Sequence, residues 1–393
     1  MSERSERTGI TVLLRRRLCG DPLIGASEET TTVEHLHESM VGAMSDVRRM
    51  TTHRSSRGLP AGQAAVVTCR PMAVGSRPLV PSRLAPGRSG SVIRPVIDGH
   101  RPRRSPTTVL GGYVALTKPR IIELLLITTV PTMVLAERGW PALSLILITL
   151  FGGSLAAGGA NAVNMYVDRD IDALMARTSA RPLVTGLIQP SHALAFALVL
   201  EAAAFAVLWW GANLLSAVLA LAAAAFYVGV YTLWLKRTST HNIVIGGAAG
   251  AVPVLVGWAA VTDALGWAPI VLFVVMFCWT PPHFWALAIR YADEYRAADV
   301  PMLPAVVPLA NAARQMVAYT VAMVVATLVL IPVAELGWIY TGAAIVLGAG
   351  FLAATATLVR DPTPARSMKV FTYSITYVTL LFGAMTLDVL LRA

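Results

Sequence analysis

Four polar side chains near the end of an apolar segment have the spacing of a metal-binding helix face. In the segment NAVNMYVDRDIDALMARTSARPL, Asn161, Asn164, Asp168 and Asp172 follow one another at intervals of three, four and four residues. Residues at these intervals share one face of a helix. Because like charges one turn apart repel, such stacked carboxylates favour a divalent cation that neutralises them. Amide and carboxylate oxygens without His or Cys select a hard ion, Mg²⁺ or Mn²⁺.

The residues around this stripe indicate the second ligand of the cation. Asn161 lies inside the apolar run, where a polar group is expensive, and this position argues against an acidic surface loop, the alternative interpretation. Asp170 lies off the stripe, so we expect only an indirect role for it. Arg177 and Arg181 follow in the same loop and can clamp an anion. Because Mg²⁺ prefers one or two carboxylates plus the oxygens of a substrate phosphate, we predict a metal–diphosphate site.

A second acidic group follows the sixth predicted apolar span. It contains Asp293, Glu294 and Asp299. Four predicted spans separate it from the first group, so both groups lie on the same side of the membrane. This arrangement suggests two related halves that each supply metal ligands, with Glu294 and Asp299 as the candidates in the second half.

Basic residues at the ends of two predicted spans complete the candidate site. Lys118 and Arg120 precede the first span, and Lys236 and Arg237 follow the fourth. These four residues are candidates for binding the diphosphate. The general enrichment of Lys and Arg in cytoplasmic loops predicts basic residues at these positions equally well.

His283 lies within a predicted span, in the segment WTPPHFW. An ionisable residue inside a membrane is a candidate functional group, and we treat His283 as a candidate catalytic residue. The alternative is a hydrogen-bonded histidine at a helix break made by Pro281 and Pro282. The aromatic residues beside it are typical of packing, or of a pocket whose ring faces stabilise a carbocation.

The composition predicts that helices in a membrane carry these residues. Of 393 residues, 55% are hydrophobic and 14% are charged, against about 45–50% and about 25% in soluble domains. This excludes an ordinary cytosolic enzyme, a disulfide scaffold and a disordered protein. We predict an all-α polytopic protein of nine transmembrane helices. They lie near residues 120–137, 141–163, 193–210, 214–235, 243–261, 267–289, 316–335, 338–358 and 371–391. With a cytoplasmic N-terminus, eleven Lys and Arg residues fall in inside loops and only Arg138 and Arg392 fall outside.

The chain divides into an N-terminal extension, 1–105, and a membrane domain, 106–393. The net charge of +10 belongs mostly to the first 117 residues, which hold 17 Arg and 9 acidic residues. We therefore expect no nucleic-acid partner, and we expect the extension to be disordered. Three interpretations of it are open: a regulatory tail, an organelle transit peptide, and translation from a start codon upstream of the real one. Its acidic residues weaken the second, and its lack of Lys favours the third, with Met44, Met50 and Met72 as other starts.

At this point the motifs resemble a known family. The pattern NxxNxxxDxDxDxxMxRTxxRPL at 161–183 is similar to the first signature of the UbiA superfamily of intramembrane prenyltransferases. Within it, four further stretches resemble the protoheme IX farnesyltransferases, or heme O synthases. They are LTKPR at 116–120, LKRTSTHNIVIGGAAGAVPVLVGWAAVT at 235–262, WTPPHFWALAI at 279–289 and PMLP at 301–304.

The resemblance implies a nine-helix bundle that transfers farnesyl from farnesyl diphosphate to a vinyl group of protoheme IX (heme b), with Mg²⁺ as cofactor and heme as substrate. It implies that Asn164, Asp168 and Asp172 hold the Mg²⁺–diphosphate. The anion partners that it implies are Arg177, Arg181, Lys236 and Arg237. Glu294 and Asp299 are five residues apart, which departs from the DxxxD spacing of the family's second motif. Heme A synthase and terminal oxidase assembly proteins are the partners that such an activity implies.

Two other functions are weighed against this one. A UbiA-type enzyme that prenylates an aromatic quinone precursor would share the diphosphate site. A membrane transporter would place its ionisable residues near the bilayer midplane, whereas most acidic residues here lie at one mouth. Glu123 and Glu201, inside predicted spans, remain without a role. We expect the bacterial plasma membrane as the location, with the mitochondrial inner membrane as the alternative.

Overall fold

The computed structural model describes residues 106–392, with the side chains of 108–119 and 127–392. All regular secondary structure within this part of the chain is helical, which confirms the all-α prediction. The predictions about residues 1–105 lie outside the described residues. The backbone of Arg120 and Glu123 is described as helical, but their side chains lie outside the description.

Thirteen helices are found between residues 106 and 392, and four of them are short. They are α1 (Pro106–Thr117), α2 (Pro119–Glu137), α3 (Leu143–Val167), α4 (Arg169–Leu174), α5 (Pro190–Gly211), α6 (Leu214–Thr238), α7 (Asn242–Thr262), α8 (Trp267–Arg290), α9 (Ala292–Ala297), α10 (Leu303–Val306), α11 (Leu309–Val333), α12 (Trp338–Arg360) and α13 (Pro364–Arg392). Within α6, residues Tyr227–Leu235 form a π-helix, in which the backbone bonds from residue i to residue i+5.

Eight helices within the described residues are long and apolar enough to cross a membrane, namely α3, α5, α6, α7, α8, α11, α12 and α13. They coincide with the second to ninth predicted spans. The first predicted span, 120–137, coincides with α2, a helix of 19 residues whose side chains are described from Ile127 to Glu137. The chain is therefore a multi-pass membrane protein, as its composition predicts.

Consecutive spanning helices are joined by short segments and alternate in direction, so these segments fall at two ends of the bundle. The end that we call the polar end contains residues 168–189, 239–241, 291–308 and 361–363. The opposite end contains 138–142, 212–213, 263–266 and 334–337. Trp210, Trp267 and Trp338 are largely exposed at or beside this opposite end. Tryptophans in this position are typical of a membrane–water interface.

Glycine allows some of these helices to pack closely. A Cβ atom at Gly257 of α7 would lie 2.9 Å from the backbone oxygen of Thr129 in α2. A Cβ atom at Gly247 would lie 2.8 Å from the side chain of Thr280 in α8. Because lipid tails are as apolar as Leu, helices in a membrane associate through such close packing rather than through hydrophobicity. The two contacts hold α2, α7 and α8 together.

A buried aspartate ties α13 to α12 at the opposite end. Asp388 accepts hydrogen bonds from the backbone N–H groups of Gly337 (2.6 Å), Ile339 (3.1 Å) and Tyr340 (3.3 Å). Its Oδ2 lies 3.6 Å from Arg392 Nη1. The first N–H groups of a helix have no partner within the helix. Asp388 therefore caps α12 from a neighbouring helix.

Candidate active site

A cavity of about 330 Å³ lies between α3, α6, α7 and α8. At the polar end its lining contains charged and amide side chains. These are Lys118, Asn161, Asn164, Asp172, Arg177, Arg181 and Lys236. Ala and Gly are the most frequent of the remaining lining residues, together with Thr, Met and Val and with aromatic side chains that include those of α6 and α8. The cavity can therefore hold a molecule with an anionic head and a long apolar tail.

The predicted stripe of four polar residues crosses the end of α3 without losing its helical register. α3 ends at Val167, yet the Asp168 N–H bonds to the carbonyl oxygen of Asn164 (2.9 Å) and the Asp172 N–H to that of Asp168 (2.8 Å). These are the i to i−4 bonds of an α-helix. Asn161, Asn164 and Asp172 accordingly line the same cavity.

Hydrogen bonds link the first half of the stripe to two distant lysines. Lys118 Nζ donates to Asn164 Oδ1 (2.7 Å), and Asn164 Nδ2 donates to Asp168 Oδ2 (2.7 Å). Lys236 forms an ion pair with the same Oδ2. Asn161 Nδ2 donates to the backbone oxygen of Thr117 (3.2 Å), beside Lys118. The predicted basic rim thus meets the predicted acidic stripe.

Lys118 has an unusual backbone and an unusual charge environment. It separates α1 from α2 at φ 53° and ψ 61°, a left-handed conformation that costs free energy for any residue with a side chain. Burial, with the charges of Arg181 and Lys236, lowers the pKa of Lys118 to about 7. A bound anion would favour the charged ammonium group. The strained backbone directs this group into the cavity.

Asp168 is fully buried and only half satisfied. Its Oδ1 has no hydrogen-bond partner, and Arg237 Nη2 lies 3.7 Å from it. Arg237 instead donates to both oxygens of Asp170 at 2.7 Å. This hydrogen bonding holds the pKa of Asp170 low, at about 2. Asp170 therefore pairs with a rim arginine, and its indirect role stays a prediction.

The end of the stripe pairs with the loop that follows it. Arg181 Nη1 lies 2.5 Å from Asp172 Oδ2, and both side chains line the cavity. The Thr178 hydroxyl donates to the Asp172 backbone oxygen (2.8 Å) and fixes the turn between them. Arg181 and Asp172 are therefore neighbours in the wall of the cavity.

Arg177 is held by aromatic side chains rather than by a carboxylate. Its guanidinium carbon lies 5.5 Å from the ring centroid of Tyr291 and 5.4 Å from that of Tyr295. Arg177 Nη2 also donates to the hydroxyl of Tyr295 (3.1 Å). Burial raises the pKa of Tyr295, so its hydroxyl keeps its proton. The two polar loops meet through this contact.

The second acidic group lies beside the first loop but does not form a carboxylate cluster with it. Asp293 pairs with Arg296, and Asp299 is exposed, with φ at 51°. Glu294 is half-buried, and its Oε2 has no hydrogen-bond partner. Among the described residues, no three His, Cys, Asp or Glu side chains gather where they could hold a metal. The metal role of Glu294 and Asp299 stays a prediction.

His283 is buried in α8 and faces α13. Its Nδ1 lies 2.6 Å from the hydroxyl oxygen of Ser374, and its ring stacks on those of Trp279 and Phe371 at 4.2 and 4.7 Å. α8 continues through Pro281 and Pro282, so the helix break of the alternative interpretation is absent, whereas its hydrogen-bonded histidine is present. Trp279, Thr280 and Phe284 line the cavity, but His283 is not part of its lining. Its catalytic role stays a prediction.

Glu201 lies midway along α5 against α3. Neither of its carboxylate oxygens has a hydrogen-bond partner, and a Cβ atom at Gly159 would lie 2.7 Å from Oε1. The cavity is lined by Asn161 and other residues of α3, whereas Glu201 is not part of its lining. Glu201 therefore remains apart from the site.

Sequence reasoning missed the tyrosines and a threonine of α6. Tyr227 and Tyr231 line the cavity and stack on each other, with ring centroids 5.4 Å apart. Thr232 is fully buried and accepts a hydrogen bond from Asn164 Nδ2 (3.2 Å). The two tyrosines are one helical turn apart and precede Lys236, and this spacing could have indicated that they face the same cavity. No sequence pattern indicated the π-helix that contains these three residues.

Comparison with known proteins agrees with this architecture. A profile described as the UbiA prenyltransferase family matches residues 125–381. A protoheme IX farnesyltransferase of Pseudarthrobacter chlorophenolicus is 54% identical over 282 residues, covering 70% of this chain and 88% of that protein. A protoheme IX farnesyltransferase of Streptomyces avermitilis is 52% identical over 288 residues, covering 72% and 94%.

Solved structures share the fold at low sequence identity. A digeranylgeranylglyceryl phosphate synthase superposes with a TM-score of 0.61 at 16% identity, covering 72% of this chain and 99% of that one. A UbiA homologue from Archaeoglobus fulgidus bound to DMAPP and Mg²⁺ superposes with a TM-score of 0.50 at 17% identity, covering 69% and 99%. The fold, the motifs and the extended similarity lead to one conclusion: the chain belongs to the UbiA prenyltransferase family.

Proposed function

We propose that the protein transfers the farnesyl group of farnesyl diphosphate to a vinyl group of protoheme IX, with addition of water, to give heme O. The bond between farnesyl C1 and the diphosphate oxygen breaks, and a bond forms between C1 and the terminal vinyl carbon. Water adds to the other vinyl carbon and loses a proton, so the products are heme O and diphosphate. The relatives described above carry the names that match this reaction.

The observation that carries the proposal is the set of charges at one end of an otherwise apolar cavity. Lys118, Arg177, Arg181 and Lys236 all line the polar end. Diphosphate is a poor leaving group until such cations neutralise its developing charge. The apolar remainder of the cavity accommodates a prenyl chain and excludes water from the allylic cation that remains.

The donor atoms of the stripe fit a hard divalent cation. Asp168 presents a buried oxygen without a hydrogen-bond partner. Asn164 and Asp172 line the cavity beside it. Mg²⁺ takes one or two protein carboxylates and fills its shell with substrate oxygens and water, so a larger carboxylate cluster is not required. We assign Asn164, Asp168 and Asp172 as the residues that hold it. When bound, Mg²⁺ neutralises charge on the diphosphate. Glu294 and Asp299 are weaker candidates.

The chain's own residues prepare this site before the substrates bind. The ion pairs of Lys236 with Asp168 and of Arg181 with Asp172 keep two cations at the cavity wall. We propose that Arg177 and Lys118 bind diphosphate oxygens directly, and that Asn161 and Arg237 support them. Arg120 is a further candidate for the rim. The ring faces of Tyr227, Tyr231 and Trp279 are suited to stabilise the allylic cation.

Location and partners follow from the chemistry. Farnesyl diphosphate and heme b are amphiphilic, so an active site within the bilayer that opens at a polar end suits both. We propose the bacterial plasma membrane, with the polar end and the N-terminus on the cytoplasmic side, because basic residues concentrate in the polar loops. The product would pass to heme A synthase or to terminal oxidase assembly proteins.

An assay of the purified protein in lipid tests the proposal. The reaction contains protoheme IX, farnesyl diphosphate and Mg²⁺, with and without EDTA, and its products are separated by chromatography and identified by mass spectrometry. We expect a heme heavier by one farnesyl group and one water, absent when EDTA is present. Consumption of farnesyl diphosphate with unchanged heme would overturn the acceptor and favour an aromatic quinone precursor. Folded protein that consumes neither substrate would contradict the prenyltransferase assignment.

A further inference from the structure

The π-helix in α6 places two cavity residues on one face that an α-helix would separate. Tyr231 and Lys236 are five residues apart, and both line the cavity. Five residues of an α-helix turn through about 500°, which would leave the two side chains about 140° apart. A π-helix bonds residue i to residue i+5, and the Lys236 N–H does bond to the Tyr231 carbonyl oxygen. The wide turn therefore brings Lys236 into line with Tyr231 and towards Asp168.

Thr232 lies inside this π-helix and also contacts one of the predicted metal ligands, Asn164. Its hydroxyl donates to the backbone oxygen of Tyr227, five residues earlier, at 2.9 Å. The same oxygen accepts from Asn164 Nδ2 at 3.2 Å. The side chain is fully buried. One hydroxyl thus connects the backbone of α6 to the stripe on α3.

The polarity of this hydroxyl requires the same orientation of the Asn164 amide as its bonds to Asp168 and Lys118. A threonine has one hydroxyl proton, and here the Tyr227 carbonyl takes it, so towards Asn164 the hydroxyl can only accept. The Asn164 NH₂ group must therefore face Thr232 and the Asp168 carboxylate. The Asn164 carbonyl oxygen must point the other way, where Lys118 Nζ lies 2.7 Å from it.

We propose that Thr232 is a positioning residue for diphosphate binding, because it bonds to the Asn164 amide with the carbonyl oxygen turned towards the cavity, and because it joins the π-helix that precedes Lys236 to the same point. This inference rests on the proposed function. It adds a residue that contacts neither the substrate nor the cavity but sets the direction of the ligand atoms. Partners of this kind orient metal ligands, and their loss typically lowers affinity or activity about 10- to 100-fold.

The test compares two substitutions that differ in one group. Thr232→Val keeps the shape and removes the hydroxyl, whereas Thr232→Ser keeps the hydroxyl and removes a methyl group. The matched control is Thr320→Val in α11, since Thr320 is equally buried and its hydroxyl bonds only to the backbone oxygen of Met316 (2.8 Å). Binding of farnesyl S-thiolodiphosphate, a slowly reacting analogue, is measured by calorimetry with and without Mg²⁺. The KM values for farnesyl diphosphate and protoheme are measured alongside.

For Thr232→Val we expect analogue binding in Mg²⁺ to weaken about tenfold or more, and the KM for farnesyl diphosphate to rise while that for protoheme stays unchanged. Thr232→Ser should restore both values to within about threefold of the wild type. Equal losses in Thr232→Val and Thr320→Val would overturn the proposal, as would a serine variant no better than valine. Binding of the analogue does not involve protoheme. The result therefore still applies if the true prenyl acceptor is a different molecule. Wild-type protein that fails to bind the analogue would instead count against the proposed function.

Discussion

Two buried aspartates, one at each end of the bundle, have opposite surroundings. Asp388 at the opposite end receives three backbone N–H groups, and Arg392 lies nearby. Asp168 at the polar end receives Asn164 and Lys236 on one oxygen, while its other oxygen has no hydrogen-bond partner. Both side chains are at most 1% exposed.

This difference is the one expected between a carboxylate that caps a helix and one that binds a ligand. A buried polar group without a hydrogen-bond partner destabilises the folded state. Such a group is therefore typical of a site that binds a ligand. Both oxygens of Asp388 accept hydrogen bonds from a helix N-terminus, so neither oxygen is left without a partner. Asp168 has one oxygen to spare beside a cavity lined with cations. Burial and charge alone do not distinguish these two aspartates; the count of satisfied oxygens does.

The largest effect should come from Asp168→Asn. The substitution keeps the size of the side chain but removes the negative charge that neutralises Lys236 and would hold the metal. We expect prenyl transfer to fall at least about 100-fold, as when a group that stabilises transition-state charge is lost. The melting temperature in detergent should fall as well, because the substitution leaves the largely buried Lys236 without its carboxylate partner, so activity is compared per amount of folded protein. Product formation by the purified variant measures the first effect. Near-normal activity would contradict a role of Asp168 in metal binding or catalysis.

A smaller effect, on stability rather than on activity, should come from Asp388→Asn. An amide can present only one oxygen to the N–H groups of Gly337, Ile339 and Tyr340, and its NH₂ group finds no acceptor among them. We expect a loss of about 2 kcal/mol of stability from the unsatisfied donors. Thermal unfolding in detergent should show a lower melting temperature, while the folded fraction keeps its specific activity. A variant that is stable but inactive would contradict the structural role of Asp388.

The smallest effect should come from Asp170→Asn. The Asp170 side chain is 60% exposed and pairs with Arg237, and such exposed pairs contribute at most about 1 kcal/mol. Burial of Asp170 is slight, and Arg237 keeps a second carboxylate, Asp168, at 3.7 Å. We expect less than about a twofold change in activity and a similar melting temperature. A loss as large as that of Asp168→Asn would show that position on the stripe does not decide function.

Much of the fold and part of the site could be predicted from the sequence. The spans were predictable because a membrane requires a long apolar segment for each crossing. The stripe from Asn161 to Asp172 was predictable because a helix of 3.6 residues per turn leaves little choice of face. The roles of Asp168 and its neighbours remain predictions until the variants are measured.

The contacts between distant segments could not be predicted. Lys236 pairs with Asp168 across 68 residues, and Arg177 meets Tyr295 across 118. Such pairs depend on how whole helices pack, and a single sequence carries no local pattern that specifies them. The hydrogen-bond partner of His283 could not be predicted either, because Ser374 lies on a different helix, α13, 91 residues further along the chain.

The sequence by itself therefore determined the membrane class and the spacing of the polar stripe, because hydropathy and helical periodicity are local properties. It also predicted the orientation of the polar end and a metal–diphosphate site. The tertiary structure alone decided which cation faces which carboxylate. It also decided that a π-helix aligns Lys236 with Tyr231, and that Asp388 caps a helix while Asp168 keeps an oxygen free. These features depend on the satisfaction of hydrogen bonds in three dimensions, which is settled only when the helices are packed together.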